Sequence, residues 1–146
     1  MSKQNISLTA DSVIFCTSGE STKILLVQRK YDPFQGLWAL PGGFLEDEEP
    51  LEDGAKRELE EETGLKVDTL EQLRAYGTPG RDPRGRTVSV GFWTVIPSEE
   101  MVKGNDDAAL AEWHDIKNLP GLAFDHDLIV KEALERFKAE KGISLQ

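Results

Sequence analysis

The 146-residue chain has one cysteine, Cys16, so no internal disulfide can brace it. Basic residues are scarce: 17 lysines and arginines stand against 27 aspartates and glutamates, for a formal net charge of −10. That deficit argues against nucleic acid as a partner, since gripping its backbone needs a basic surface. It leaves room for a small anionic ligand, because a bound divalent cation reverses the local field. No apolar run approaches the roughly 20 residues that cross a bilayer, so no membrane partner is expected. The start, MSKQNISLTADSVIF, lacks a basic cluster, an apolar core and a small-residue cleavage site in succession. With that and a lone thiol, cytoplasmic localisation is expected. Repeats, low-complexity linkers and composition breaks are also missing, so 1–146 reads as one domain. A chain of this length buries roughly 70% of its unfolded surface and can build its own core.

Short elements alternate along it. Residues 5–16 are rich in β-branched types and predict a strand, with Cys16 as a small core residue. KILLVQRK (23–30) predicts a buried strand, YDPFQG a turn, and LWAL an extended piece running into the turn PGG. A helix is expected over about 50–63, with Pro50 in its first turn and Gly64 at its stop. Residues 66–77 read as extended, 77–86 as a basic loop and TVSVGFWTVIP as a strand. An acidic loop (99–108), a short strand AEWHDI and a closing amphipathic helix from DHDLIV onward complete the chain. This mixed order predicts an α/β (α+β) domain with a mixed sheet.

The stretch 41–65, PGGFLEDEEPLEDGAKRELEEETGL, holds ten carboxylates. Around a helix, Leu51, Ala55 and Leu59 make an apolar stripe, and Glu62 projects between Leu51 and Ala55. Glu58 lies beside that sector. Glu52, Asp53 and Glu60 point away and fit a solvated face. A carboxylate aimed where the helix packs meets a large desolvation penalty unless something positive sits beside it. A hard cation such as Mg²⁺ or Mn²⁺ takes oxygen ligands and explains the cluster.

The spacing is specific. Gly43, Glu49, Arg57-Glu58-Leu59, Glu61-Glu62 and Gly64-Leu65 are nine constrained positions over 23 residues, and together they resemble the Nudix box. The similarity extends to LLVQRK, GLWALPGGFLE and AEWHDIKNLP. The resemblance implies a Nudix hydrolase: a mixed β-sheet in an α/β/α sandwich that cleaves a nucleoside diphosphate joined to another group. It implies a divalent metal, Mg²⁺ or Mn²⁺, held by Glu58, Glu61, Glu62 and the carbonyl of Gly42. Glu49 and Arg57 match positions that brace the loop and helix, with Gly43, as structural support. Metal ions neutralise a pyrophosphate and activate water, and a nearby carboxylate accepts the proton. Glu61 is the first expectation for that acceptor, with Glu58 as its catalytic neighbour and Asp106 or Asp107 as rival. The two aspartates fit a metal ligand or a solvated turn equally well.

The loop GTPGRDPRGR (77–86) sets Arg81, Arg84 and Arg86 in an otherwise acidic chain. Arginine forks bind phosphate bidentately, although an ordinary turn offsetting nearby acids would look the same. With Pro79 past the box, RDPRGR before SVGFW, and LAFDHDLI near the end, the chain resembles the ADP-ribose pyrophosphatase group. That implies hydrolysis of ADP-ribose to AMP and ribose 5-phosphate, with Arg29, Arg81, Arg84, Arg86 and Pro79 on the substrate. Oxidised nucleotides, dinucleoside polyphosphates and non-catalytic ADP-ribose sensing are the alternatives. Phe34, Trp38, Tyr76 and Phe92 are candidate base-stacking rings or core. His126 is expected near a helix N-terminus. The expected partner is the nucleotide substrate, with a homodimer implied by analogy.

Overall fold

The strand expected over 5–16 forms as β1 (Ser7–Cys16), and the sheet is arranged around it. The computed structural model describes residues 3–141, so the two ends of the expected domain lie outside the described residues. After β1 come β2 (Lys23–Arg29), β3 (Trp38–Ala39), β4 (Gly42–Phe44) and α1 (Leu51–Thr63). Then follow β5 (Glu71–Tyr76), β6 (Thr87–Ile96), β7 (Ala108–Asp115) and α2 (His126–Lys141). The order β3-β2-β1-β6-β5 makes the body of the sheet, with β4 on β1 and β7 on β2. Among the strands of the described residues, β1 and β6 pair parallel and the other strand pairs are antiparallel, with an isolated parallel bridge between Trp38 and Leu122. The sheet is therefore mixed, as expected.

β1 shows why both faces are covered. Ala10, Ile14 and Cys16 point to one side, where Ala55 and Leu59 of α1 pack on them. Val13 and Phe15 point to the other, against Ile129, Ala133 and Phe137 of α2. A strand buried on both faces reads as an apolar run because neither set of alternate side chains meets water. Asp11 interrupts that run and is only 6% exposed.

α1 begins after Pro50 and ends at Gly64, whose φ of 78° is the left-handed stop that glycine adopts without strain. The Gly64 N–H donates to the carbonyl of Glu60 at 2.8 Å. Beyond it, Asn105 and Lys103 donate backbone N–H groups to the carbonyls of Glu62 and Thr63, both at 3.0 Å. The acidic loop thus satisfies carbonyls that a helix end leaves free, and it is docked there as a result.

Three boundaries differ from expectation. PGG is not merely a turn: Gly42 and Gly43 begin β4, which pairs with Thr9–Asp11. A side chain at Gly42 would collide with the Ala10 carbonyl and the Asp11 carboxyl, so only glycine lets these backbones approach. β5 starts at Glu71 because the preceding segment folds inward, burying Leu65 and Leu70 against α1. β7 starts at Ala108, three residues early, since its ladder with β2 runs on through a bulge to Arg29.

Candidate active site

A cavity opens where β1 changes partners. β4 pairs with Thr9–Asp11, whereas β2 pairs with Phe15–Cys16 on the same side of the strand. β2 and β4 diverge between those registers and leave a cavity of about 390 Å³. Its lining includes an acidic group of side chains and a basic one, here called its two walls.

The acidic wall carries Glu58 and Glu62 from α1 and Asp107 from the docked loop. Glu62 is 9% exposed, as its position between Leu51 and Ala55 requires. The Gly42 N–H donates to its Oε1 at 2.8 Å. Burial pushes the Glu62 carboxyl up to about 8; that bond opposes the rise, and Glu58, Asp11 and Asp107 add to it. Burial also raises Glu58, against the pull of Arg57. A Cβ at Gly43 would displace the Glu58 carboxylate, which bonds Arg57.

Behind this wall, Arg57 organises the remaining acids. Its Nε and Nη2 donate to the two oxygens of Glu49 at 2.6 and 3.0 Å. Nη1 reaches Glu58 at 3.0 Å and Glu61 at 2.8 Å. Nη2 also donates to the Phe44 carbonyl at 3.3 Å, tying β4 to the helix. The Arg57 bonds, with the Glu46 N–H, hold the Glu49 carboxyl down at about 2. Glu61 is half-exposed and is not among the cavity-lining residues.

The basic wall holds Arg29, Arg81 and Arg84. Arg81 is 5% exposed and committed to Asp125 through two bonds of 2.6 and 2.8 Å. Arg84 grips the buried Asp82 through Nε and Nη2 at 3.0 and 2.7 Å. Arg29 donates through Nε to the Pro33 carbonyl at 2.6 Å. The Arg29 and Arg84 guanidiniums lie 5.0 and 5.2 Å from the ring of Phe124, and Arg84 is 4.8 Å from Phe44. Burial, then the charge of Arg84, lowers the Arg29 pKa. Phe124 thus holds two guanidiniums at the cavity, one of them already paired with Asp82. Arg86 and Pro79 stay off the cavity; Arg86 is spent on the Gly77 carbonyl at 2.5 Å.

None of the four expected rings lines the cavity. Tyr76 and Phe92 are core at 2% exposure, Phe34 packs edge-on to Phe124, and Trp38 packs on His114. The rings that do line it are Tyr31, Phe44 and Phe124. Phe124 reaches in from a left-handed backbone, φ 54°, which periodicity cannot reveal. His126 does open α2, but it also lines the cavity, together with Asp11. A carboxylate inside the apolar run TADSVIF was the available signal for Asp11.

The acidic wall fits a divalent cation. Glu62 is a buried carboxyl whose burial and neighbouring acids disfavour its charge, and its donor set is all oxygen, which suits a hard ion. Among the described residues no three of these acids converge on one point, and Arg57 bonds Glu61 and one Glu58 oxygen. Glu58 and Glu62 at the cavity, with Glu61 and the Gly42 carbonyl beside them, are the groups that would hold it.

The fold and this wall define the class: a family model described as NUDIX domain matches residues 8–137, and the chain belongs to the Nudix family. Its relatives narrow the comparison. It is 47% identical over 113 residues to an ADP-ribose pyrophosphatase of Methanocaldococcus jannaschii, covering 77% of this chain and 66% of that protein. It is 35% identical to the ADPR responsive transcriptional repressor NtrR of Acinetobacter baylyi, covering 88% of this chain and 53% of the repressor. The chain thus spans about two thirds and about half of these relatives' lengths. Among solved structures, the NUDIX domain of Shewanella oneidensis NrtR complexed with ADP ribose superposes with a TM-score of 0.87 at 34% identity. That match covers 92% of this chain and 90% of the other.

Proposed function

We propose that the chain is a metal-dependent pyrophosphohydrolase that converts ADP-ribose and water to AMP and ribose 5-phosphate. The observation that carries this reading is the cavity with carboxylates on one wall and two guanidiniums on the other. A diphosphate would answer both sets of charges, and the similarity to an ADP-ribose pyrophosphatase and to an ADP-ribose complex supports the choice of substrate. Glu58, Glu62, Glu61 and the Gly42 carbonyl would hold a divalent cation, most simply Mg²⁺, which would supply charge neutralisation for the diphosphate and a more acidic water.

The chain's own groups do the rest. Arg29 and Arg84 grip phosphate oxygens bidentately and fix the diphosphate against the acidic wall. Water attacks one phosphorus, the P–O bond to the bridging oxygen breaks, and a carboxylate takes the water proton. Asp107 is the acceptor candidate that lines the cavity, and Glu61 is the one that Arg57 orients. Comparing Asp107→Asn with Glu61→Gln assigns the role, since the true acceptor loses kcat with KM little changed.

The similarity to an ADPR responsive repressor favours a second reading, binding of ADP-ribose without turnover. One experiment separates the two. Purified protein with Mg²⁺ is given ADP-ribose, an oxidised dGTP and a dinucleoside polyphosphate, and products are identified by mass. AMP and ribose 5-phosphate from ADP-ribose support hydrolysis. Tight ADP-ribose binding with no product supports the sensor. Faster turnover of either other nucleotide overturns the substrate assignment and leaves the family intact.

A further inference from the structure

Asp11 and His126 form a polar pair on the cavity floor that the phosphate chemistry leaves unused. They are 6% and 4% exposed, and both line the cavity. Oδ2 of Asp11 accepts hydroxyl hydrogens from Ser89 and, at 3.4 Å, from Thr9. Among the described residues no protein donor bonds to Oδ1, which lies against Gly42 of the acidic wall. Nδ1 of His126 accepts the Leu40 N–H at 3.0 Å, so the neutral ring carries its hydrogen on Nε2. Burial lowers the His126 pKa and keeps the ring neutral. Nε2 stands 3.9 Å from Oδ2 of Asp11, too far for a direct bond.

One atom bridges such a gap. An oxygen about 2.8 Å from each group must accept from Nε2–H and donate to the carboxyl. An O–H group does both, a water molecule or a ligand's hydroxyl that replaces it. A phosphate oxygen only accepts and would face another acceptor, and an ammonium group only donates. Oδ1 of Asp11 lies against Gly42, whose N–H donates to Glu62, so the pair adjoins the acidic wall. Next to that wall a diphosphate's own sugar lies closer than its base.

We propose that Asp11 and His126 are a sugar-hydroxyl subsite that reads one hydroxyl of a ribose adjoining the diphosphate. The subsite deepens the ADP-ribose reading and rests on it. ADP-ribose has two such riboses, and the substrate set distinguishes them.

Steady-state hydrolysis is measured on ADP-ribose and on three analogues. Two lack the 2′- or 3′-hydroxyl of the adenosine, and one lacks the 2-hydroxyl of the terminal ribose. The wild-type protein should lose at least about tenfold in kcat/KM on one of them. Asp11→Asn keeps an acceptor for Ser89 and Thr9 but offers the cavity a donor. That preference should then fall below about threefold, with the Mg²⁺ concentration for half-maximal rate unchanged. Ser89→Ala, which disturbs the bond behind Asp11, should keep the preference. If Asp11→Asn fails to fold by circular dichroism and melting, His126→Gln carries the same comparison. Equal slowing on all four substrates, or no preference in the wild type, overturns the subsite. A Mg²⁺ requirement that rises with the loss overturns it in favour of a cation role for Asp11. If another nucleoside diphosphate derivative proves to be the substrate, its ribo and deoxy forms give the same test. The substrate reading then fails while the subsite is still judged.

Discussion

Glu49 and Glu62 flank Arg57 in sequence, and the fold sends them in opposite directions. Glu49 meets the arginine fork, and its carboxyl is held at about 2. Glu62 turns inward between apolar residues, has one amide donor, and is pushed up to about 8. A partnered acid lowers the energy of its surroundings and needs nothing further. A buried acid without a cation raises it and is retained only where something else answers the charge. The contrast separates brace from site within one acidic helix, and each prediction below presses on it.

The largest effect should come from Glu62→Gln. The glutamine oxygen still accepts the Gly42 N–H, so the fold survives while the negative charge is lost. Hydrolysis of ADP-ribose should fall by about a hundredfold or more, beyond what positions behind a ligand contribute. Mg²⁺ should raise the wild-type Tm and leave the variant nearly unmoved. Unchanged kcat/KM would remove Glu62 from the site. Arg57→Ala should do the reverse and act first on stability. It strands Glu49, Glu58 and Glu61 together, and Tm should drop by roughly 5 °C. If Tm holds and only kcat falls, Arg57 belongs to the chemistry and the contrast is misdrawn.

The same two residues predict opposite slopes of stability with pH in protein stripped of metal with EDTA. Glu62 keeps its proton in the folded state above the usual carboxyl value of 4.5 and up to about 8. Across that window the folded state binds more protons than the unfolded chain, so stability should fall as pH rises. Glu62→Gln should flatten this limb. Glu49 is depressed to about 2, so below 4.5 the unfolded chain binds more protons. Its contribution is present above 4.5 and should be lost as pH falls toward 2, a limb that Arg57→Ala should flatten. Urea midpoints from pH 3 to 8.5 give both limbs. A single slope of one sign across the range would contradict the assignment.

Much of this was legible from local pattern. The inward aim of Glu62 follows from 100° per residue, and the glutamate–arginine brace from box spacing. The longer strands read from β-branched content and length, because covering both faces leaves apolar runs, whereas β4 read as a turn. What stayed hidden depends on long-range register. Asp11 and His126 are separated by most of the chain and come to 3.9 Å, with the His126 ring tied to the Leu40 N–H. Phe124 enters the cavity through a left-handed backbone, and the arginine loop divides its members by contacts unseen in sequence. Arg81 goes to Asp125, Arg84 to Asp82 and Phe124, and Arg86 to Gly77. Composition made those arginines look equivalent, and partners distinguish them.

The smallest effect is expected at Glu60, and it tests the contrast most closely. Glu60 adjoins Glu61 in sequence, but one residue turns the helix by about 100°. Its side chain is 50% exposed, and Lys66 stands 3.6 Å away across solvent. A pair of that kind contributes little. Glu60→Gln should leave kcat/KM within about twofold and Tm within about 2 °C of the wild type. It removes the same unit of charge from the same helix as Glu62→Gln. A tenfold loss of activity would therefore show that the helix acts through its summed negative field. Direction would then count for less than number, and the distinction between a braced acid and an aimed one would have no functional content.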